Sequence, residues 1–168
     1  MRLPGVRPIM SCSRVKESVS PSGSAASVAT IRNRDGTVQI PGFYDSVLPA
    51  THEERQAVGA ASFSDEDDLR ETLGLDGFVG GLSGAELWER ASFTPTSNLA
   101  GVSTGYSGPG FKTVLPAAAS AWMDFRLVPD QQPEEILELL RAHLEREGFE
   151  DIEVTPIVTA KPAKTPLD

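Results

Sequence analysis

The chain has 168 residues, of which 39% are hydrophobic and 23% charged, so it is long enough to form one globular domain. A net charge of -9 argues against binding the nucleic-acid backbone, and no apolar run approaches the roughly 20 residues of a membrane helix, so we expect neither partner. The single cysteine, Cys12, excludes an internal disulfide, and the N-terminus lacks the apolar core of a signal peptide, which predicts a cytoplasmic protein.

The N-terminal segment, residues 1–34, is expected to be poorly ordered or foreign to the rest of the fold. Residues 1–30 are rich in serine, proline and glycine and follow neither the helical nor the strand period, so we expect little order before Ser24. The segment from Ser24 to Asn33 predicts a short, weak helix that ends at the turn between Asn33 and Gly36.

Residues 51–91 predict three short capped helices that form a helical insertion. Each begins with a serine or threonine followed three residues later by an acidic residue, which is the capping-box pattern. The pairs are Thr51 with Glu54, Ser64 with Asp67, and Ser83 with Glu86.

Two strands, a helix and a third strand are predicted after the insertion. The strands cover Phe93 to Tyr106 and Ala117 to Val128, with Ser107 to Gly110 as the turn that makes them antiparallel. The helix runs from Pro133 to Gly148, and its apolar stripe packs on the sheet. The last strand covers Ile152 to Thr159, and residues 161–168 resemble the start of a linker.

The second of these strands alternates between two kinds of side chain. Odd positions from Ala119 to Leu127 are apolar and predict a core face, while Ser120, Trp122, Asp124 and Arg126 occupy the other face. Arg126 is therefore a solvated charge, a member of an ion pair, or a rigidly held binding group whose guanidinium can form two hydrogen bonds with a carboxylate.

The glycine-rich stretch Gly105 to Gly110, followed by Lys112 and Thr113, invites comparison with a phosphate-binding loop. That motif needs a lysine directly after its last glycine and a helix after the threonine. Here Phe111 intervenes and a strand follows, so the pattern indicates a hairpin turn.

No catalytic or metal centre is indicated by the residues themselves. The two histidines, His52 and His143, do not have a metal-ligand spacing, and we expect a surface histidine and a half-buried one. The acidic run from Asp65 to Asp68 is expected to be a solvated helix start. No Ser/His/Asp or Cys/His arrangement for nucleophilic catalysis is indicated, because Cys12 lies in the part of the chain that we expect to be least ordered.

Several ordered blocks resemble one family of enzymes. The stretch KTVLPAAASAWMDFRLVPDQQPEEILELLRAHL, together with IPGFYDSV and GYSGPGFKTVLP, is similar to the lid, or dimerisation, domain of the zinc-dependent dipeptidase and deacylase family. That family includes carnosinases, aminoacylases and succinyl-diaminopimelate desuccinylases, and the likeness is greatest to the carnosinase branch. It extends from about Asp35 to the C-terminus.

The resemblance implies a fold and a division of roles. The lid is a βαββαβ, ferredoxin-like two-layer α+β sandwich with an antiparallel sheet and helices on one face, here occupying residues 35–160. A separate catalytic domain holds two zinc ions, so this chain is expected to need no cofactor of its own and to be inactive alone. The resemblance also implies that Thr113 and Arg126 contact the substrate, with Arg126 gripping its carboxylate, and that the partner is a second copy or a catalytic domain.

The chain departs from the family at its N-terminus, where residues 1–30 do not match the first strand and helix of the lid. We therefore expect an incomplete sheet with a gap between the second and the last predicted strands, and a truncated, frame-altered or split product. Two alternatives stay open: a non-enzymatic dimerisation module, and a replacement N-terminal segment with its own partner.

Overall fold

A computed structural model describes residues 10–17, 21–60, 66–114 and 116–164. The elements in chain order are β1 (Met10–Glu17), α1 (Pro21–Ile31), α2 (His52–Ala60), α3 (Glu66–Leu73), α4 (Gly84–Phe93), β2 (Thr96–Thr104), β3 (Ala119–Arg126), α5 (Pro133–Arg146) and β4 (Ile152–Val158). A single 3-10 turn, Val79–Gly81, lies between α3 and α4. No helix in these ranges has the length and apolar character needed to span a bilayer.

The four strands form one sheet in the order β2-β3-β1-β4, and every neighbouring pair is antiparallel. With α2 to α4 regarded as an insertion, the chain follows the order βαββαβ. The prediction of an α+β two-layer fold with an antiparallel sheet is confirmed. The helical insertion within residues 51–91 is also present, with its last helix ending at Phe93.

Strand β1 fills the expected gap in the sheet. It pairs with β3 from Met10 opposite Arg126 to Glu17 opposite Ala119, and it pairs with β4 on its other side. The expectation of little order before Ser24 is therefore wrong for residues 10–17. Local sequence does not reveal this strand because strand formation depends on cross-strand partners more than on intrinsic preference. The division into residues 1–34, 35–160 and 161–168 stays a prediction.

The core lies between one face of the sheet and the helices α1 and α5. The odd positions of β3 are buried as predicted, from Ala119 to Leu127. Met123, Phe125 and Leu127 share one apolar cluster with Ile31 at the end of α1 and with the stripe of α5. That stripe is formed by Ile136, Leu140 and Leu144. This arrangement fixes the even positions of β3 on the opposite face.

The insertion shows how helix starts are stabilised. The capping box at Thr51 is confirmed, because the Thr51 N–H donates to Glu54 Oε2 at 2.7 Å and the Glu54 N–H donates to Thr51 Oγ1 at 3.2 Å. Ser83 precedes α4 but makes no capping bond with its side chain. Instead the Gly84 N–H donates to a carboxylate oxygen of Glu66, at the start of α3. The pair at Ser64 lies outside the described residues.

A turn whose first and last residues, Val128 and Gln131, are buried joins β3 to α5. Val128 accepts the backbone bond from Gln131, and Asp130 has φ of 77°, the left-handed conformation that an aspartate tolerates in a turn. Gly42 lies in a second turn with φ of 81°, where a Cβ atom would approach within 3.3 Å of Leu139 Cδ2. The second turn can therefore pack closely on α5.

The two edges of the sheet differ in chemistry. Edge strand β4 carries Pro156 and the exposed Glu153, two features that discourage pairing with another strand. Edge strand β2 has nine residues without charge or proline. Leu99 and Val102 of β2 lie opposite Met123 and Ala121, on the core side of the sheet, yet are 46% and 50% exposed.

Candidate functional site

Arg126 ends β3 on the face of the sheet that points away from the core. Its side chain is 48% exposed, and Thr96 at the start of β2 lies opposite it. Both predictions for this residue, a strand position and the non-core face, are confirmed. The sheet holds the Arg126 backbone on both sides, since β1 pairs with it as well.

Asp124 and Asn98 form the polar surroundings of Arg126. Asp124 Oδ2 lies 3.6 Å from Arg126 Nε and accepts a hydrogen bond of 3.2 Å from Asn98 Nδ2. The Asp124 side chain is only 12% exposed. Because a buried carboxylate is costly without partners, the guanidinium and the amide together stabilise this charge.

A cavity of about 510 Å³ opens beside this group, between the end of α4 and the ends of β2 and β3. Its walls are mixed. The polar residues are Ser92, Thr94, Thr96, Asn98, Asp124 and Arg126, and the others are Ala91, Leu127 and Val128. The volume lies in the range of small-molecule sites, and Arg126 supplies a charged group at the wall.

The cavity wall depends on a short extended link. Thr94 follows α4 with φ of -108° and ψ of 126°, and the fully buried Pro95 comes next. A residue before proline is biased towards the extended conformation, so the helix ends here and β2 can begin at Thr96. This local sequence places the end of α4 beside Arg126.

Thr113 lies elsewhere. It is exposed in the connection between β2 and β3, and it does not line the cavity beside Arg126. The structure therefore does not bring the two predicted ligands to one cavity.

The glycine-rich stretch belongs to the same connection. Lys112 Nζ lies 4.5 Å from the centre of the Tyr106 ring, and the Tyr106 hydroxyl donates to the Pro109 carbonyl at 3.1 Å. A strand, β3, follows as predicted. The tight turn predicted at Ser107 to Gly110 is wrong, because β2 ends at Thr104 and β3 begins only at Ala119. The geometry of a phosphate loop, which leads into a helix, is absent here.

The histidines do not fit a zinc site. His143 is buried, its Nε2 lies 2.9 Å from Thr30 Oγ1, and its Nδ1 lies 2.8 Å from an Arg146 nitrogen. Since arginine can only donate, Nδ1 accepts, and Nε2 carries the proton of the neutral ring. Burial, together with the charge of Arg146, lowers the pKa of His143. His52 is exposed on α2, and no group of three or more potential ligands occurs within the described ranges.

Sequence patterns did not identify Asn98 as part of the site. Asn98 meets Asp124 because the two are opposite each other in the β2–β3 register. That register depends on a bulge at Ala100, between Leu99 and Gly101, which a two-residue alternation does not reveal. The only available signal was that Asn98 and Asp124 are polar residues in neighbouring predicted strands.

A family model described as Peptidase dimerisation domain matches residues 28–152. Among curated proteins, a Cys-Gly metallodipeptidase of Candida albicans is 32% identical over 120 residues, covering 71% of this chain and 24% of that protein. A Cys-Gly metallodipeptidase of Schizosaccharomyces pombe is 30% identical, covering 71% and 25%. The chain thus spans about a quarter of the length of these curated relatives.

Solved structures show the same fold. A metallo-carboxypeptidase of family M20 from Sulfolobus solfataricus aligns with a TM-score of 0.77 and 30% identity, over 95% of this chain and 41% of that one. Human carnosine dipeptidase 1 aligns with a TM-score of 0.82 and 21% identity, over 95% and 38%. At that identity the second likeness concerns the fold alone.

Proposed function

Because the chain belongs to the Peptidase dimerisation domain family, we propose that it is the lid and dimerisation domain of a zinc-dependent dipeptidase. In this role it orients the carboxylate of a small peptide substrate and pairs two subunits. The observation that carries the proposal is the half-exposed Arg126 at the wall of a cavity on the non-core face.

Arg126 is suited to orientation because the sheet limits the motion of its backbone. A guanidinium forms two parallel hydrogen bonds with a carboxylate, and a group fixed by a strand sets the direction of that pair better than one on a loop. Holding a substrate in one orientation contributes to catalysis by reducing the entropy lost on reaching the transition state.

The metal ions of such an enzyme would be bound by residues other than those described here. The described residues offer no fitting ligand set, and the buried His143 already uses both ring nitrogens. In the whole enzyme zinc would supply the polarised carbonyl and the activated water. The role of this chain would be to bind and position the substrate.

Subunit pairing would use the free edge of β2. The backbone groups of β2 that do not pair with β3 face outward, and the strand has no charge or proline that would discourage pairing. The half-exposed Leu99 and Val102 extend the core side of the sheet to that edge. Two copies related by a two-fold axis would join their β2 strands antiparallel and cover these side chains.

Thr113 remains a proposed substrate ligand. Its exposed position leaves the hydroxyl accessible, and its place in the matched block supports the proposal. Since Thr113 does not line the cavity of Arg126, we assign the carboxylate to Arg126 alone.

A second candidate is a non-enzymatic dimerisation module. The open edge of β2 favours it, because pairing through that edge needs no chemistry at Arg126. The two candidates differ in whether Arg126 matters. Only the lid role predicts that replacing Arg126 changes the hydrolysis of a peptide substrate.

A domain exchange tests the lid role. The matched region of the Candida albicans Cys-Gly metallodipeptidase is replaced by the matching residues of this chain, and hydrolysis of Cys-Gly is measured. We expect an active chimera whose kcat/KM falls about 100-fold with Arg126→Met, because the substrate loses its orienting contact.

The matched control is Arg34→Met, which removes an exposed arginine of the 32–38 turn and should leave kcat/KM within about twofold. Equal activity of the Arg126→Met chimera and its parent would favour the dimerisation module. A folded but inactive parent chimera would also count against the lid role.

A further inference from the structure

Arg126 does not face the cavity alone, because a carboxylate shares its wall. Asp124 Oδ2 lies 3.6 Å from Arg126 Nε, and both residues line the same space of about 510 Å³. Asn98 fixes the carboxylate from the neighbouring strand with a bond of 3.2 Å to the same oxygen. The site therefore presents one positive and one negative group side by side, with a net charge of zero.

This pairing affects which carboxylates the site accepts. A ligand that carries only a carboxylate would place a second negative charge beside Asp124, and the two would repel each other. A ligand that also carries an adjacent ammonium group pairs with both charges of the site. The low exposure of Asp124, 12%, increases the effect because solvent screens buried charges less than exposed ones.

We propose that the Arg126–Asp124 pair is a binding site for the zwitterion of a free α-amino acid. Arg126 takes the carboxylate and Asp124 takes the α-ammonium group. In an amino acid the two charged groups share one carbon and are about 2.5 Å apart, which is compatible with the 3.6 Å separation of the protein groups. Ala91 and Val128 border the remaining space, where the side chain would lie.

The inference rests on the proposed function and defines its ligand. When water adds across the amide bond of a dipeptide, its oxygen joins the acyl carbon, which becomes a carboxylate. The C–N bond breaks, and the nitrogen of the C-terminal residue receives both protons of the water and leaves as an ammonium group. Before cleavage the same nitrogen is a neutral amide. The site would therefore bind the released amino acid more tightly than the substrate, and that amino acid would act as a product inhibitor.

Titration of the full 168-residue chain tests this. Side-chain ¹⁵N resonances of Arg126 and Asn98 are followed at pH 7 and fixed ionic strength while L-alanine, N-acetyl-L-alanine or L-alaninamide is added. We expect L-alanine to bind about tenfold more tightly than either of the other two, since only it carries both charges.

The outcomes separate the two proposals. Equal binding of L-alanine and N-acetyl-L-alanine would overturn the zwitterion site while supporting the carboxylate role of Arg126. Binding of L-alaninamide as tight as that of L-alanine would overturn both. If no ligand shifts the Arg126 resonance, the carboxylate role in the proposed function fails as well.

An isosteric variant provides an independent readout. Asp124→Asn should reduce the affinity for L-alanine about tenfold, to that for N-acetyl-L-alanine. Asp130→Asn is the matched control, because Asp130 lies in the β3–α5 turn and does not line this cavity. An Asp124→Asn variant that keeps its full preference for L-alanine would overturn the inference. If that variant does not fold, the comparison of the three ligands on the unaltered chain still tests the zwitterion site.

Discussion

The side-chain amide of Gln131 donates a hydrogen bond of 2.7 Å to the carbonyl oxygen of Phe43, which lies 88 residues earlier in the chain. The same amide accepts a bond of 3.1 Å from the Val128 N–H. Gln131 and Phe43 are both fully buried. One side chain thus joins the turn after β3 to the turn that covers the core, and β3 itself carries Arg126.

Gln131→Met should destabilise the fold by about 2–4 kcal/mol, because methionine has a similar shape but leaves two buried backbone groups unpaired. Unfolding in urea, followed by circular dichroism, measures this. Gln39→Met is the control, since Gln39 is exposed and should change stability by less than about 0.5 kcal/mol. Equal effects of the two substitutions would contradict the role of the buried amide.

Lys164→Met should cost about 1–2 kcal/mol of stability. Lys164 Nζ pairs with the buried carboxylate of Glu54 at the start of α2, while Lys164 itself is half exposed, which limits the loss. Lys161→Met, in the same C-terminal segment and exposed, is the matched control. Thermal unfolding of both variants at pH 7 shows whether the tail is held to the insertion by this pair.

Glu54 should also contribute to the loss of stability in acid. The hydrogen bond from Lys164, with that from the Thr51 N–H, lowers the pKa of Glu54 below its ordinary 4.5. Because the folded pKa is depressed, the contribution is complete above pH 4.5 and is lost as the pH falls through the folded value. Glu54→Gln should lose less stability than the unaltered chain between pH 5 and 3. Parallel pH profiles would contradict this.

His143 should make the fold less stable below pH 6.5. Its pKa is lowered from the ordinary 6.5 by burial, so the unfolded chain binds the proton more readily than the folded one. Stability is then complete above pH 6.5 and falls as the pH decreases, by up to about 1.4 kcal/mol per pH unit. His143→Gln should remove this slope between pH 6.5 and 5.5, whereas His52→Gln, at an exposed position, should retain it.

Val102→Lys should weaken the pairing of two copies by about tenfold or more. The two-fold axis would bring like charges together at the β2 edge. Ile157→Lys is the matched control, because Ile157 is equally exposed, at 50%, but lies on the opposite edge strand. Sedimentation equilibrium gives the dissociation constants. A dimer broken only by Ile157→Lys would place the interface at β4.

The sequence allowed the later half of the fold to be predicted because its signals are local and agree with one another. The helix α5 has a proline at its start, acids in its first turn, an apolar stripe, and Gly148 with φ of 83° after its end. The alternation in β3 likewise assigned its two faces correctly. Each of these features depends on residues a few positions apart.

Strand β1 and the group around Arg126 could not be predicted in this way. β1 lies between β3 and β4, which come more than 100 residues later, so its partners leave no trace in its own composition. Asn98 reaches Asp124 through a register set by one bulge. The sequence pattern predicted that Ser83 caps α4, but the Gly84 N–H at the start of α4 donates to Glu66 instead. This bond could not be predicted from local sequence, because Glu66 belongs to another helix.

Pro156 limits how large an assembly of this chain can become. Copies that pair through both edge strands of a sheet can add further copies without limit and form fibrils. Copies that can pair through only one edge strand stop at a dimer. Pro156 has no backbone donor, which makes β4 the poorer edge for pairing with another strand and leaves the β2 edge to recruit a neighbour. A finite particle, rather than an aggregate, is the form in which this domain should be found at high concentration.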